Sequence, residues 1–354
     1  MCEHRPRRLQ LFPLGGRGLI GLSQRFAQDA DHHVLERKRL SRAQFHRFLA
    51  RSEPVSLVME ACGTSHYWAR FAESLGHEVK LLHAKYVKAY VRRTKTDAAD
   101  ADALILADRD DSLHPVPVKP EELQALQGLH RIREQWKRAR TARICEARAL
   151  LAEFGITLPE GARGIGNKLA EGAEHVPVLM QSTLQELIQE IEELAQRIKQ
   201  VDRELSAYAN TNKDAQALLS IQGVGIIVAT ALVARVPNIH NFKRGRSFSS
   251  WLGLTCREYS SGQTRRLSGI SKQGDRYLRM LIIHGARAAL MAARRKAANG
   301  KQLTRLETWA INTQARVGHN KAAVALANKM ARIIWAVWTR TEVFNGDDAL
   351  RFAA

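Results

Sequence analysis

The chain has 354 residues, with 55 Lys and Arg against 35 Asp and Glu, for a formal net charge of +20 at pH 7. Such an excess suits a polyanionic partner, because basic side chains on phosphates release condensed counterions. No apolar run reaches the ~18 residues needed to cross a membrane, and nothing at the start reads as a signal peptide. The four cysteines, Cys2, Cys62, Cys145 and Cys256, are scattered without a CxxC pair, so neither a disulfide framework nor a zinc site is suggested. A cytosolic nucleic-acid-binding protein of two or three domains is expected.

Residues 1–28, "MCEHRPRRLQLFPLGGRGLIGLSQRFAQ", contain no aspartate. They read as lacking a period-two strand, with Pro13 and the following "GGRG" as interruptions. A β-rich run at 55–59 comes next, then a turn at Gly63-Thr64-Ser65 and an amphipathic helix to about Leu75. Gly76 stops that helix before a second strand near 78–83. Strand, helix and strand with short joints predict an α/β unit with a parallel pair. The proline-rich stretch from Ser112 to Pro120 closes it.

Between these points lies an acidic cluster set among basic residues. Arg92, Arg93 and Lys95 run into Asp97, Asp100 and Asp102. Asp97 and Asp100, three apart, share one face of a helix that Thr96 could cap. The alternative is a solvated acidic first turn that complements the helix dipole. Glu60, just past the strand VSLVM, adds a carboxylate at a sheet edge. Three such groups can grip a hard cation through oxygen, and two cations about 4 Å apart serve phosphodiester chemistry.

Two helical patterns follow. In the second, Leu184, Leu187, Ile191, Leu194, Ile198, Val201, Leu205 and Tyr208 alternate three and four apart, which predicts a coiled coil. Its partner is either the helix at 121–153 or another subunit. The basic residues then concentrate: between 235 and 305 stand sixteen Lys and Arg, with Glu258 and Asp275 as the only acids. A solvated face would mix signs, so this block is the expected nucleic-acid surface. Just before it, "LLSIQGVGIIVATALVARV" resembles a helix-hairpin-helix, in which Gly223 and Gly225 let backbone N–H groups approach a phosphate. A bland tight turn is the competing reading.

"MEACGTSHYWAR" followed by "KTDAADADA" resembles the DEDD transposases of bacterial insertion sequences, the bridge-RNA-guided recombinases, and within them an IS-eleven-eleven-like group. "SWLGLTCREYSSGQTRRLSGISKQGDRYLRMLIIHGARA" is similar to that family's C-terminal domain. The resemblance covers roughly residues 33–340. It implies an α/β plus α fold: a RuvC-like, RNase H-type domain at 33–118, a helical linker and coiled coil at 119–212, and a basic, mostly helical transposase domain at 213–305. Helices and a tail fill 306–354, and 1–32 is left as an aberrant segment.

The last three members of the family's acidic tetrad map onto Glu60, Asp97 and Asp100, implying Mg2+ as cofactor. A serine nucleophile before a glycine maps onto Ser261 of "YSSGQTRR", with Ser260 the fallback. Arg257, Arg265, Arg266 and Lys272 around it suit a phosphate. DNA, a guide RNA and further copies of the chain are the implied partners, in a bacterial, nucleoid-associated setting.

The tetrad's first Asp has no counterpart. Counting back from "DADHHVLERKRLSRAQF" sets it near Arg17, and an arginine cannot coordinate a cation. Asp29 and Asp31 are the nearest carboxylates, in a turn-like cluster. A frameshifted or mis-started reading frame, and so an inactive chain, is the expectation. The rival readings are a Holliday-junction-type nuclease, which needs the acidic site without the serine, and a non-catalytic nucleic-acid-binding remnant.

Overall fold

The computed structural model describes residues 8–13, 19–24, 36–91, 97–159, 161, 165–340 and 344–345, with backbone alone at 8–13, 19–24, 36–39 and 97–98. The chain divides into two units, Met1–Pro120 and Glu121–Ala354.

Three strands open the first unit: β1 (Arg8–Pro13), β2 (Leu19–Gln24) and β3 (Glu36–Ser41). Helix α1 (Arg42–Arg51) starts at a capping box, in which Ser41 Oγ accepts the Gln44 N–H and Gln44 Oε1 accepts the Ser41 N–H. Then come β4 (Ser56–Ala61), α2 (Ser65–Ser74), β5 (Glu78–His83), the short α3 (Ala84–Val87) and α4 (Asp97–Asp108). The sheet order is β3-β2-β1-β4-β5. Strand β1 lies in its middle, antiparallel to β2 and parallel to β4. The strand–helix–strand reading of 55–83 matches this arrangement closely, and β4 and β5 are parallel.

Residues 1–28 depart from expectation. No strand is predicted there, yet β1 and β2 both lie within them. Leu9 and Leu11 in fact alternate with Arg8 and Gln10. Pro13 occupies the last place of β1, where its missing N–H removes no interior ladder bond.

Alternate residues of β4 divide between two cores, as the pleat requires. Leu57 and Met59 pack with Phe45, Leu49 and Trp68 of α1 and α2. The Phe45 and Trp68 rings lie 4.6 Å apart. Val58 joins Leu82, Ala101 and Leu104 on the α4 side.

The second unit begins with α5 (Glu121–Glu153), α6 (Ile165–Ala173) and α7 (Val178–Thr211). Arg133 pairs with Asp202 and Arg143 with Glu190. Partners that advance along α5 retreat along α7, so the two long helices are antiparallel. Helix α7 buries Leu184, Ile188, Ile191, Leu194, Ile198, Val201, Leu205 and Ala209. Of the predicted seam, Leu187 and Tyr208 are only half-buried. A helix of 3.6 residues per turn drifts from a strict heptad, and the stripe slips by one place at each end.

Beyond the hairpin lie α8 (Lys213–Leu219), α9 (Ile226–Arg235), α10 (Gly245–Trp251), the two-stranded β6 (Cys256–Glu258) and β7 (Leu267–Ile270), then α11 (Arg276–Ala298), α12 (Arg305–Val317) and α13 (His319–Arg340). Leu218, Val228, Phe248, Ile282, Leu306, Leu326 and Ile334 belong to one buried cluster, so α12 and α13 share the core of the segments before them.

Within that core the backbones of Gly223 and Gly285 touch. A Cβ on Gly285 would stand 2.1 Å from the Gly223 carbonyl oxygen, and one on Gly223 would stand 2.6 Å from that of Gly285. Gly285→Ala is therefore expected to lower stability by roughly 1–3 kcal/mol, the usual cost of forcing atoms into a packed site. Gly128→Ala, inside α5 with open space around it, should instead stabilise by about 0.5–1 kcal/mol. Chemical denaturation of the two variants checks the pair; equal effects would contradict the close approach.

The base of the helical hairpin is locked by a buried histidine. His130 on α5 is 1 % exposed, with Nε2 3.1 Å from Thr230 Oγ1 and Nδ1 3.2 Å from the Tyr277 hydroxyl. The Thr230 hydroxyl already donates to the Ile226 carbonyl at 2.7 Å. It must therefore accept from His130 Nε2–H, leaving Nδ1 to accept from Tyr277. One side chain thus ties α5 to α9 and α11.

Candidate active site

Glu60 lies near the carboxyl end of β4, two residues past Val58, and so shares the sheet face that α4 covers. Lys80 on β5, paired in register with Val58, holds the Asp108 carboxylate at 2.6 Å and anchors the last turn of α4. From that anchor the helix runs past Leu104 and Ala101, which share a cluster with Leu82 and Val87. Asp100, about 12 Å along α4 from Asp108, is half-buried. Glu60 and α4 therefore occupy one face of the sheet. The Asp97 side chain and the predicted cap Thr96 lie outside the described residues, as do Asp29, Asp31 and Arg17.

Strand β1 holds the neighbouring place. Its register pairs Gln10 with Val58 and Leu11 with Met59. Carried one residue further, it sets Phe12 beside Glu60. The strand reads Arg-Leu-Gln-Leu-Phe-Pro and offers no carboxylate.

The basic block has its own geometry. Strands β6 and β7 form an antiparallel ladder that continues outward, with the Tyr259 N–H on the Arg266 carbonyl at 2.9 Å. Ser261 and Thr264 exchange both backbone hydrogen bonds at 3.2 and 3.0 Å. Gly262, with φ +55°, takes the first central place of this two-residue turn, as a primed hairpin turn requires. Residues 256–269 are all exposed, so the hairpin stands in solvent with Arg257, Arg265 and Arg266 upon it. Lys272, also exposed, is the one described non-glycine residue with positive φ, at 54°.

The two acids of this block are both engaged. Asp275 caps α11 through the Leu278 N–H at 2.9 Å and pairs with Arg235. Glu258 Oε1 accepts from Ser260 Oγ at 2.7 Å and from Arg265 Nε at 3.2 Å. The Ser260 hydrogen bond, with Arg265 and Arg246 adding their charge, holds the Glu258 carboxyl below the usual range. The sequence reading does not assign Glu258 a role, although its isolation among sixteen cations was the signal. Gly223 has a packing role against Gly285, whereas Gly225 is exposed at the N-cap of α9, with nothing within 4 Å of the place a Cβ would take.

The first unit is thus a five-stranded sheet with a central parallel junction and an acidic helix on one face, and the second is helical and basic. Residues 22–156 match a DEDD transposase family model, and residues 215–302 match the model described as transposase IS116/IS110/IS902 family. The chain is 40 % identical over 317 residues to a protein of Pseudomonas aeruginosa described as "Probable family 20 transposase", covering 88 % of this chain and 92 % of that one. It is 36 % identical to the transposase for insertion sequence element IS1328 of Yersinia enterocolitica, covering 90 % and 94 % of the two chains. To the transposase for IS1111A of Coxiella burnetii it is 38 % identical, covering 88 % and 85 %. The chain belongs to the IS116/IS110/IS902 family of insertion-sequence transposases.

A DEDD fold implies divalent cations held by carboxylates. Glu60 and Asp100 are oxygen donors of the kind Mg2+ takes. Among the described residues no group of three or more His, Cys, Asp or Glu side chains is placed to hold a metal ion, the Asp97 side chain being outside that set. Strand β1 adds no acid to these donors. No described helix is long and apolar enough to cross a membrane.

Proposed function

We propose that this chain derives from an RNA-guided transposase that cleaves and exchanges DNA strands, with Glu60, Asp97 and Asp100 as cation ligands and a serine of the Ser260-Ser261 pair as nucleophile. The observation that carries the reading is the solvent-exposed hairpin, with both serines beside its turn, Arg265 and Arg266 on the returning strand and Arg257 on the strand leading in, while Lys272 lies past its base. These side chains offset phosphate charge as a hydroxyl attacks. The loop of Gly223 and Gly225 supplies backbone N–H groups for a further phosphate contact. The antiparallel hairpin of α5 and α7 is the intrachain form of the coiled coil, and copies of the chain assemble through its outer faces.

The missing carboxylate on β1 favours a second statement about this particular chain: it binds nucleic acid without recombining it. Bound Mg2+ would polarise a phosphate oxygen; the chain's own residues hold the DNA and orient the hydroxyl.

Duplex DNA affinity should fall steeply with salt, with a slope set by the phosphates neutralised. Reversing charge at both Arg265 and Arg266 should weaken binding to unrelated sequences alike and lower that slope by about two. Titrations at three salt concentrations check this. A flat salt dependence would mean that the hairpin faces something other than phosphate.

A further inference from the structure

The hairpin of β6 and β7 has two chemically different faces. Across its ladder Glu258 stands opposite Leu267, Tyr259 opposite Arg266 and Ser261 opposite Thr264. Side chains alternate along a strand, and residues directly across a ladder stand on the same side. Glu258, Ser260, Arg265 and Leu267 therefore share one face, and Tyr259, Ser261, Thr264 and Arg266 share the other. The side-chain contacts agree. On the first face Glu258 Oε1 accepts from Ser260 Oγ at 2.7 Å and from Arg265 Nε at 3.2 Å. Those polar groups satisfy one another.

The second face carries no acid. Glu258 pairs with Arg265 and Asp275 with Arg235, and neither Arg257 nor Arg266 has an ion pair among the described residues. Arg257 lies at the irregular step of the ladder and sets Nη1 3.5 Å from the Tyr259 hydroxyl. Tyr259 itself is 62 % exposed. Its ring is a flat apolar surface in solvent, with cationic side chains around it. Two residues along a strand span about 7 Å, so a phosphate brought to Ser261 carries its bases within reach of that ring. A paired base hides both faces in the helical stack. An unpaired base exposes them, and an aromatic ring takes such a face whatever the sequence.

We infer that Tyr259 is a stacking platform for an unpaired DNA base adjoining the phosphate at Ser261, with Arg257 and Arg266 taking the backbone beside it. The inference rests on the serine-nucleophile reading for the position of that phosphate. It deepens that reading by naming the form of the substrate: a strand locally freed from its duplex.

The test is binding of the full chain to three labelled DNAs: a paired duplex, the same duplex with one unpaired base, and the single strand. Tyr259→Ala should weaken binding to the last two about 5- to 150-fold, the range that one stacked base supplies. Binding to the paired duplex should be unchanged. Tyr259→Phe keeps the ring and should bind like the parent, which separates stacking from a damaged hairpin. Ser261→Ala should keep the preference for unpaired DNA, since stacking needs no nucleophile; failure of the serine reading would leave these results as they are. Equal weakening on paired and unpaired DNA would overturn the platform, and so would a Tyr259→Phe variant as weak as Tyr259→Ala. A loss confined to single-stranded RNA of the same sequence would overturn the assignment to DNA. A change of oligomeric state in Tyr259→Ala, with DNA binding intact, would give the ring to a second copy of the chain instead.

Discussion

Replacing residues 1–28 with a strand that carries an aspartate beside Glu60 is expected to raise DNA strand cleavage at least about 10³-fold, as several kcal/mol of transition-state stabilisation would. Strand β1 already occupies the central place of the sheet, parallel to β4. What it lacks is chemical: Arg-Leu-Gln-Leu-Phe-Pro contains no cation ligand. Two cations that approach the same phosphate repel one another, and a carboxylate between them offsets that repulsion. On the function proposed above, Glu60, Asp97 and Asp100 would then hold at most one ion.

Two replacements separate the possibilities. One sets the aspartate at position 12, where the β1–β4 register points. The other sets it at position 17, where the family spacing points. Cleavage and strand transfer are measured with the element's ends and its RNA. Robust recombination by the unmodified chain, retained when Asp29 and Asp31 are both changed to Asn, would refute the account of the first strand.

Acidification should loosen the second unit through His130. Burial keeps its pKa well below the ordinary 6.5, at about 4, with the charges of Arg235 and Arg133 pushing the same way. The ring accepts from Tyr277 through Nδ1, so protonation there sets an N–H against an O–H. An unfolded chain takes up that proton below about pH 6.5, whereas the folded one resists until about pH 4. The stabilisation from neutral His130 is thus complete above pH 6.5 and is lost as pH falls toward 4. Over that window it amounts to roughly 3 kcal/mol, at 1.36 kcal/mol per pKa unit. Denaturant unfolding at pH 7.5 and pH 5 checks it. His130→Gln should be less stable at pH 7.5 and should show a smaller loss on acidification. Equal losses in the two proteins would remove His130 from the account.

The parts of this structure that could be read in the sequence are those whose partners are local or whose burial is one-sided. The run at 55–59 is a strand with two buried faces, and the helix after it ends near Gly76, so pattern alone locates β4, α2 and β5. The α7 stripe is legible for the same reason, to within one residue at each end. Strand β1 was missed because its decisive neighbour, β4, lies more than forty residues later, and four alternating residues beside a proline look like loop. Strands β6 and β7 bury no face, so no hydrophobic period marks them. Of the candidate site, residue types and order were visible. That Glu258 reaches Ser260 was not, because the contact depends on the turn at Gly262 and on side-chain direction across the hairpin.

The antiparallel packing of α5 and α7 has a mechanical consequence. His130, Leu126, Val201 and Leu205 fix one end of the pair to α9, while α6 closes the other end through Ile144, Leu151, Leu169 and Leu184. A helix of 33 residues is about 50 Å long. The pair is therefore a rod held at one end by that buried group, with Val178 and Leu179, 82 % and 89 % exposed, at its far end. That end stands about 40 Å from the level of His130, so a rotation of about 10° there would carry it through about 7 Å, given the rise of an α-helix.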